Sequence, residues 1–142
     1  MIAATYTALK SQIETAVGLA GKVYDSARLT PEDELIRDLY LILFPTAPFD
    51  PTSGRYLAVA DWVNVTATFE YDIRFCATTA AGVLALMDRA AGVVQGKTLT
   101  VAGRVCAPMS FAASSRVVPD RSVKPPLFYG DATVEFISRP GT

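Results

Sequence analysis

The chain has 142 residues, of which 51% are hydrophobic and 19% charged, with a formal net charge of -1 and no histidine. That length makes one domain with a single real core. The missing histidine excludes Ser-His-Asp and Cys-His catalysis, and basic residues are too scattered to grip phosphates. A mean hydropathy of +0.29 is high for a small monomer, which favours self-association, although alanine accounts for part of the excess.

In chain order, Tyr6, Leu9, Ile13 and Val17 recur at helical spacing and predict an amphipathic helix over residues 3–18. Gly18 and Gly21 supply its stop, and KVYD reads as a short strand. In RLTPEDELIRDLYLILFP, Thr30 is a candidate N-cap and Pro31 suits the first helical position. Glu32, Asp33 and Glu34 complement the positive helix end. A second helix is therefore expected, with Leu35, Leu39, Ile42 and Leu43 on its apolar face and Pro45 ending it. The segment 45–55, dense in Pro, Asp, Ser and Gly, is expected to be a loop.

VNVTATFEYDIRFCA carries the clearest strand signal. Val65, Ala67, Phe69, Tyr71, Ile73 and Phe75 alternate with Thr66, Thr68, Glu70, Asp72 and Arg74, giving one buried and one solvated face. RYLAVADWV precedes it and is expected to pair with it as a hairpin, with Trp62 a core aromatic or an interface anchor. TTAAGVLALMDRAAGVV predicts a helix capped by Thr78 or Thr79, with Val83, Leu86 and Met87 inward and Gly96 at its end. KTLTVAGRVC reads as a short strand or tight hairpin turning at Gly103. Residues 107–126 read as a second loop, and LFYGDATVEFISR as a final strand with Val134, Phe136 and Ile137 adding apolar surface. Strand runs interrupted by helices imply a single α+β domain over 1–142, a mainly antiparallel sheet with helices packed on one face.

No catalytic, cofactor or metal site follows from these residues, and the expectation is a protein that is not an enzyme and carries no cofactor. Cys76 and Cys106 form no CxxC pair, and read as two buried thiols in a reducing compartment, with a disulfide left open. Asp120 and Asp131 could bracket a metal or sugar, but their spacing does not require it. No basic n-region precedes an apolar stretch and LYLILF is too short to span a bilayer, so a soluble cytoplasmic product without membrane association is expected.

The stretch VPDRSVKPPLFYG combines alternating charge, a Pro125–Pro126 stiffener and an apolar trio, Leu127, Phe128 and Tyr129. Proline-stiffened segments lose less entropy when ordered against a partner. Asp120, Arg121 and Lys124 could supply a polar rim to a contact, and Pro125, Pro126, Phe128 and Tyr129 its body. Phe128 could equally fold into its own core.

A helix, then GKTLTVAGRVC, then a charged loop with VxxD, then VKPPLFYGDATVEF, resembles the tail terminator proteins of long-tailed bacteriophages, particularly those infecting actinobacteria. The order covers nearly the whole chain. It departs in the long proline-containing segment 45–54 and in AASSRVVP, residues 112–119, which match no motif. The resemblance implies a tail-terminator-like fold and a structural virion protein, a hexameric ring that stops tail-tube growth and then meets the head. The implied partners are further copies of the chain, the tail-tube protein and the head-side connector. DNA would only pass through the lumen. The implied location is the head-proximal end of the tail, after assembly in the host cytoplasm. A head-tail connector or completion protein, and a small non-enzymatic cytoplasmic binding module, are the rival expectations.

Overall fold

The computed structural model describes residues 2–26, 38–50, 55–56, 65–113 and 116–141. Among them, two helices and nine strands follow in the order α1 (Ile2–Glu14), β1 (Val23–Tyr24), β2 (Tyr40–Leu43), β3 (Phe49–Asp50), β4 (Arg55–Tyr56), β5 (Ala67–Ala77), α2 (Ala80–Val94), β6 (Arg104–Cys106), β7 (Ser110–Ala113), β8 (Val118–Asp120) and β9 (Leu127–Pro140). The fold is α+β, with these nine strands in one sheet.

The two long strands, β5 and β9, form its spine. They pair antiparallel from Ala67 opposite Ser138 to Ala77 opposite Phe128. On the far edge of β5, β2 pairs at one end and Phe49 of β3 pairs with Thr68 at the other. On the far edge of β9, β6, β7 and β8 follow end to end, all antiparallel. Among the described strands only β1 is parallel to its neighbour, β2.

Alternation along β5 buries Ala67, Phe69, Tyr71, Ile73 and Phe75, as the period of two predicts, and both helices pack over that face. Phe69, Tyr71 and Phe136 stack at its centre, with ring centroids 5.3–6.3 Å apart. Helix α1 is fixed by Leu9 and Ile13 in the core, and by Tyr6 Oη donating to the carbonyl of Leu43 at 2.8 Å. Gln12 Nε2 donates to the carbonyl of Val93 at 2.9 Å and ties α1 to the last turn of α2. Val17 is not on the buried face: α1 stops at Glu14, and the turn through Gly18 (φ +78°) leaves Val17 exposed while Ala16 and Leu19 go inward.

Helix α2 starts at Thr79, whose side chain accepts from the amide of Gly82, and buries Val83, Leu86 and Met87. It lies close to the sheet because Gly130 of β9 carries no side chain. A Cβ there would come within 2.5 Å of Met87 Cε and 3.1 Å of Val83 Cγ1.

Other expectations are corrected as well. Tyr40–Leu43 is a strand, not the apolar face of a helix, and all four of its residues are buried between β1 and β5. Short apolar runs carry no period to separate strand from buried helix, so pairing decides. The expected helix start at 30–34, Leu35, Trp62 and most of the expected 55–63 hairpin strand lie outside the described residues. The segment 45–55 contains β3 and the first residue of β4, and 107–126 contains β7 and β8, because the edges of β5 and β9 offer backbone partners. Ile137 points away from the core and is half-exposed.

Among the described residues, no helix is long and apolar enough to cross a membrane.

Candidate assembly interface

The side of the sheet opposite the helices, here called the open face, exposes Glu70, Asp72 and Glu135 but buries Thr68, Tyr40, Ile42 and Cys76. The β5–β9 register places Glu70 opposite Glu135, Asp72 opposite Thr133, Arg74 opposite Asp131 and Cys76 opposite Tyr129 on that face. β2 adds Tyr40 beside Cys76 and Ile42 beside Arg74.

The face changes character along its length. At the β2 end, Tyr40, Ile42 and Cys76 form a small buried apolar cluster with Tyr24 and Tyr129 packed on it. Tyr24 meets Tyr40 edge-on at 5.9 Å. Next comes a fork: Arg74 Nε and Nη2 donate to the two Asp131 carboxylate oxygens at 2.9 and 3.2 Å. The guanidinium also sits 4.4 Å from the Tyr129 ring centroid, so it is held by both a carboxylate and an aromatic face. The hydrogen bonds to Asp131 strengthen its charged form and outweigh the opposing effect of partial burial. Beyond the fork lie the carboxylates Asp72, Glu70 and Glu135, all exposed. The far end is an aliphatic shelf where Val105 and Ile137 are both half-exposed.

Two concavities flank the fork. One, of about 340 Å³, is lined by Tyr40, Ile42, Cys76, Asp120, Arg121 and Tyr129 among others. The other, of about 580 Å³, is lined by Phe44, Asp72, Arg74, Ala112, Asp131 and Thr133 among others.

Of the residues singled out from sequence, Asp120, Arg121, Phe128 and Tyr129 converge on the first concavity. Lys124, Pro125 and Pro126 are exposed in the connection between β8 and β9. Strand alternation sends Phe128 and Tyr129 to opposite faces, so Phe128 packs half-buried on the main core and Tyr129 joins the open face. Asp120 does not reach Asp131. Its Oδ1 accepts from the Ser122 amide at 3.1 Å and the Ser122 hydroxyl at 2.6 Å, which holds its carboxyl below the usual carboxylate range. Asp131 is engaged by Arg74 instead.

Cys76 faces the open side and Cys106 the core, nine register steps apart along β9. Both are free, and burial raises both thiols above their ordinary range. Among the described residues no group of three His, Cys, Asp or Glu could hold a metal ion. Sequence reasoning missed Arg74, Asp131, Tyr40, Ile42 and the Glu70–Glu135 pair as members of one surface. Only the alternation of Glu70, Asp72 and Arg74 marked part of that face.

This fold recurs in a virion. A chain of a solved structure described as "Virion of native gene transfer agent (GTA) particle" superposes with a TM-score of 0.67 at 18% identity, over 98% of this chain and 96% of that one. At that identity the likeness is one of fold. Coverage this complete on both sides makes it a likeness of the whole fold and not of one motif. No family model and no curated protein matches the sequence.

Proposed function

We propose that this chain is a structural, non-enzymatic virion protein, the subunit of a hexameric ring that ends a phage tail tube at its head-proximal end and offers the head-side connector its docking surface. The observation that carries the reading is the near-complete superposition on a gene transfer agent virion chain. The order of GKTLTVAGRVC and VKPPLFYGDATVEF, resembling tail terminators, supports it from the sequence. So does the sheet: one face is closed by helices, while the other presents the half-buried Tyr129, the exposed carboxylates Glu70, Asp72 and Glu135, and the half-exposed Val105 and Ile137.

A ring needs heterologous contacts, in which two different patches of each subunit meet around the axis. The open face and the β8–β9 hairpin are two such patches. Near-neutral charge suits a conduit, since a strongly cationic lumen would retain DNA.

The test is binding to purified tail tubes, read by negative-stain imaging with the protein labelled. Label at one end of each tube, with six-fold rings of open centre in the free protein or at that end, is the expected result. Label along the tube wall, or none, would overturn the proposal. Capture by head-side connectors without any tube binding would move the protein to the head side of the joint.

A further inference from the structure

Resting on the ring reading, we infer that the cationic tip of the β8–β9 hairpin, Arg121 and Lys124, seats on the Glu70–Glu135 row of the open face of a second copy of this chain.

The first observation is an uncompensated row. Glu70 and Glu135 stand directly opposite each other on β5 and β9, and Asp72 follows on the same face. Like charges directly opposite across two strands are destabilising. Nothing in the described part of the chain relieves them. Ser110 flanks Glu135 on β7, and Thr133 neighbours Asp72. Arg74 is committed to Asp131, and Arg139 lies four residues beyond Glu135, past Ile137, opposite Val105. Neither glutamate forms an ion pair with a described residue.

The second observation is a matching patch elsewhere on the same chain. Arg121 and Lys124 are exposed at the hairpin connection and form no ion pair with a described residue. The one acidic neighbour, Asp120, already accepts two hydrogen bonds from Ser122. The tip is therefore net positive, and Pro125 and Pro126 stiffen its return to β9.

The third observation is geometric. The tip leaves β9 at Leu127 and Glu135 is eight residues farther along the same strand, roughly 26 Å at about 3.3 Å per residue. A tip anchored at one end of β9 cannot fold back onto a row that far along it. The two patches can meet only between molecules. One patch on each of two different surfaces is a heterologous contact, the kind that closes rings. Charge complementarity then fixes register and orientation as well as attraction.

The experiment uses the full chain in four forms: wild type, E70K/E135K, R121E/K124E, and the combination of all four changes. Mass is followed by light scattering and rings by negative stain, from about 0.05 M to about 1 M salt, where exposed charges become screened. Circular dichroism checks that each form is folded, which surface positions allow. Each pairwise reversal should weaken assembly by at least about tenfold, and high salt should weaken the wild type. The fourfold form should assemble again. So should an equimolar mixture of the two reversed forms, because each then offers the other a complementary tip and row.

Folded variants that assemble like the wild type would overturn this contact and leave the ring reading standing. Reversed forms that fail both alone and in the mixture, together with a fourfold form that fails, would also overturn it. A wild type that neither self-associates nor caps tubes would sink both readings together.

Discussion

Replacing Gly130 by alanine tests the closeness of α2 to the sheet that supports the open face. Gly130 is buried and faces Phe75 across β5 and β9. The added methyl would meet Met87 Cε at 2.5 Å and Val83 Cγ1 at 3.1 Å. Met87 ends in a flexible thioether and can swing aside, whereas Val83 is stiff at χ1 and cannot. Overpacking of this kind costs about 1–2 kcal/mol, the lower part of its range, because one of the two clashes is soft. At about 3–5 °C per kcal/mol for a chain of this size, Tm should fall by roughly 3–10 °C. Urea unfolding followed by circular dichroism, at one fixed protein concentration because assembly adds stability, should show a lower midpoint with unchanged slope. Met87→Ala alone should cost about 2–4 kcal/mol through the cavity it leaves. The double variant should then cost at least about 1 kcal/mol less than the two single losses combined, since the methyl added at Gly130 enters space that Met87 vacates. Strict additivity, or a neutral Gly130→Ala, would refute the account of helix-to-sheet contact at this point.

Two further outcomes are expected. Arg104 is buried and donates to Ser138 Oγ at 3.0 Å, to the Ser138 carbonyl at 2.7 Å and to the Val65 carbonyl at 2.9 Å, so it joins β6, β9 and the approach to β5. Burial lowers its pKa, yet it stays charged, and Arg104→Lys, which loses the planar fork, should cost about 2–3 kcal/mol in the same urea assay. A loss below about 0.5 kcal/mol would show that the fork is not what joins these strands. Asp120 has its folded pKa lowered by the two Ser122 hydrogen bonds. A lowered folded pKa means that the turn is held fully above the ordinary carboxylate pKa and loosens only as pH falls through the lower folded value. The Ser122 amide, followed by NMR, should therefore keep its hydrogen-bonded shift through about pH 4 and lose it below. In Asp120→Ala it should lack that shift at every pH, while Asp120→Asn should keep it without titrating.

What was legible in the sequence is what local pattern alone can encode. The alternation through Phe69, Tyr71, Ile73 and Phe75 names both a strand and its buried face, because side chains on a strand must alternate. Thr79 and the Val83–Leu86–Met87 spacing name a helix and its inner face for the corresponding reason at 3.6 residues per turn. Those two elements and β9 already imply helices over one side of an antiparallel sheet.

Tertiary structure decided the rest, wherever the deciding partner is distant. Tyr40–Leu43 is a strand because β1 and β5 hydrogen-bond its two edges, and its residues are buried on both faces. Ser110–Ala113 and Val118–Asp120 are strands because β9 lends them a ladder that their own short patterns do not announce. The Arg74–Asp131 fork joins residues 57 positions apart, and the Glu70–Glu135 row exists only because β5 and β9 pair in one register. A shift of one residue would turn those side chains to the other face. Local sequence determines which way a side chain alternates; the register between distant strands determines which charges meet.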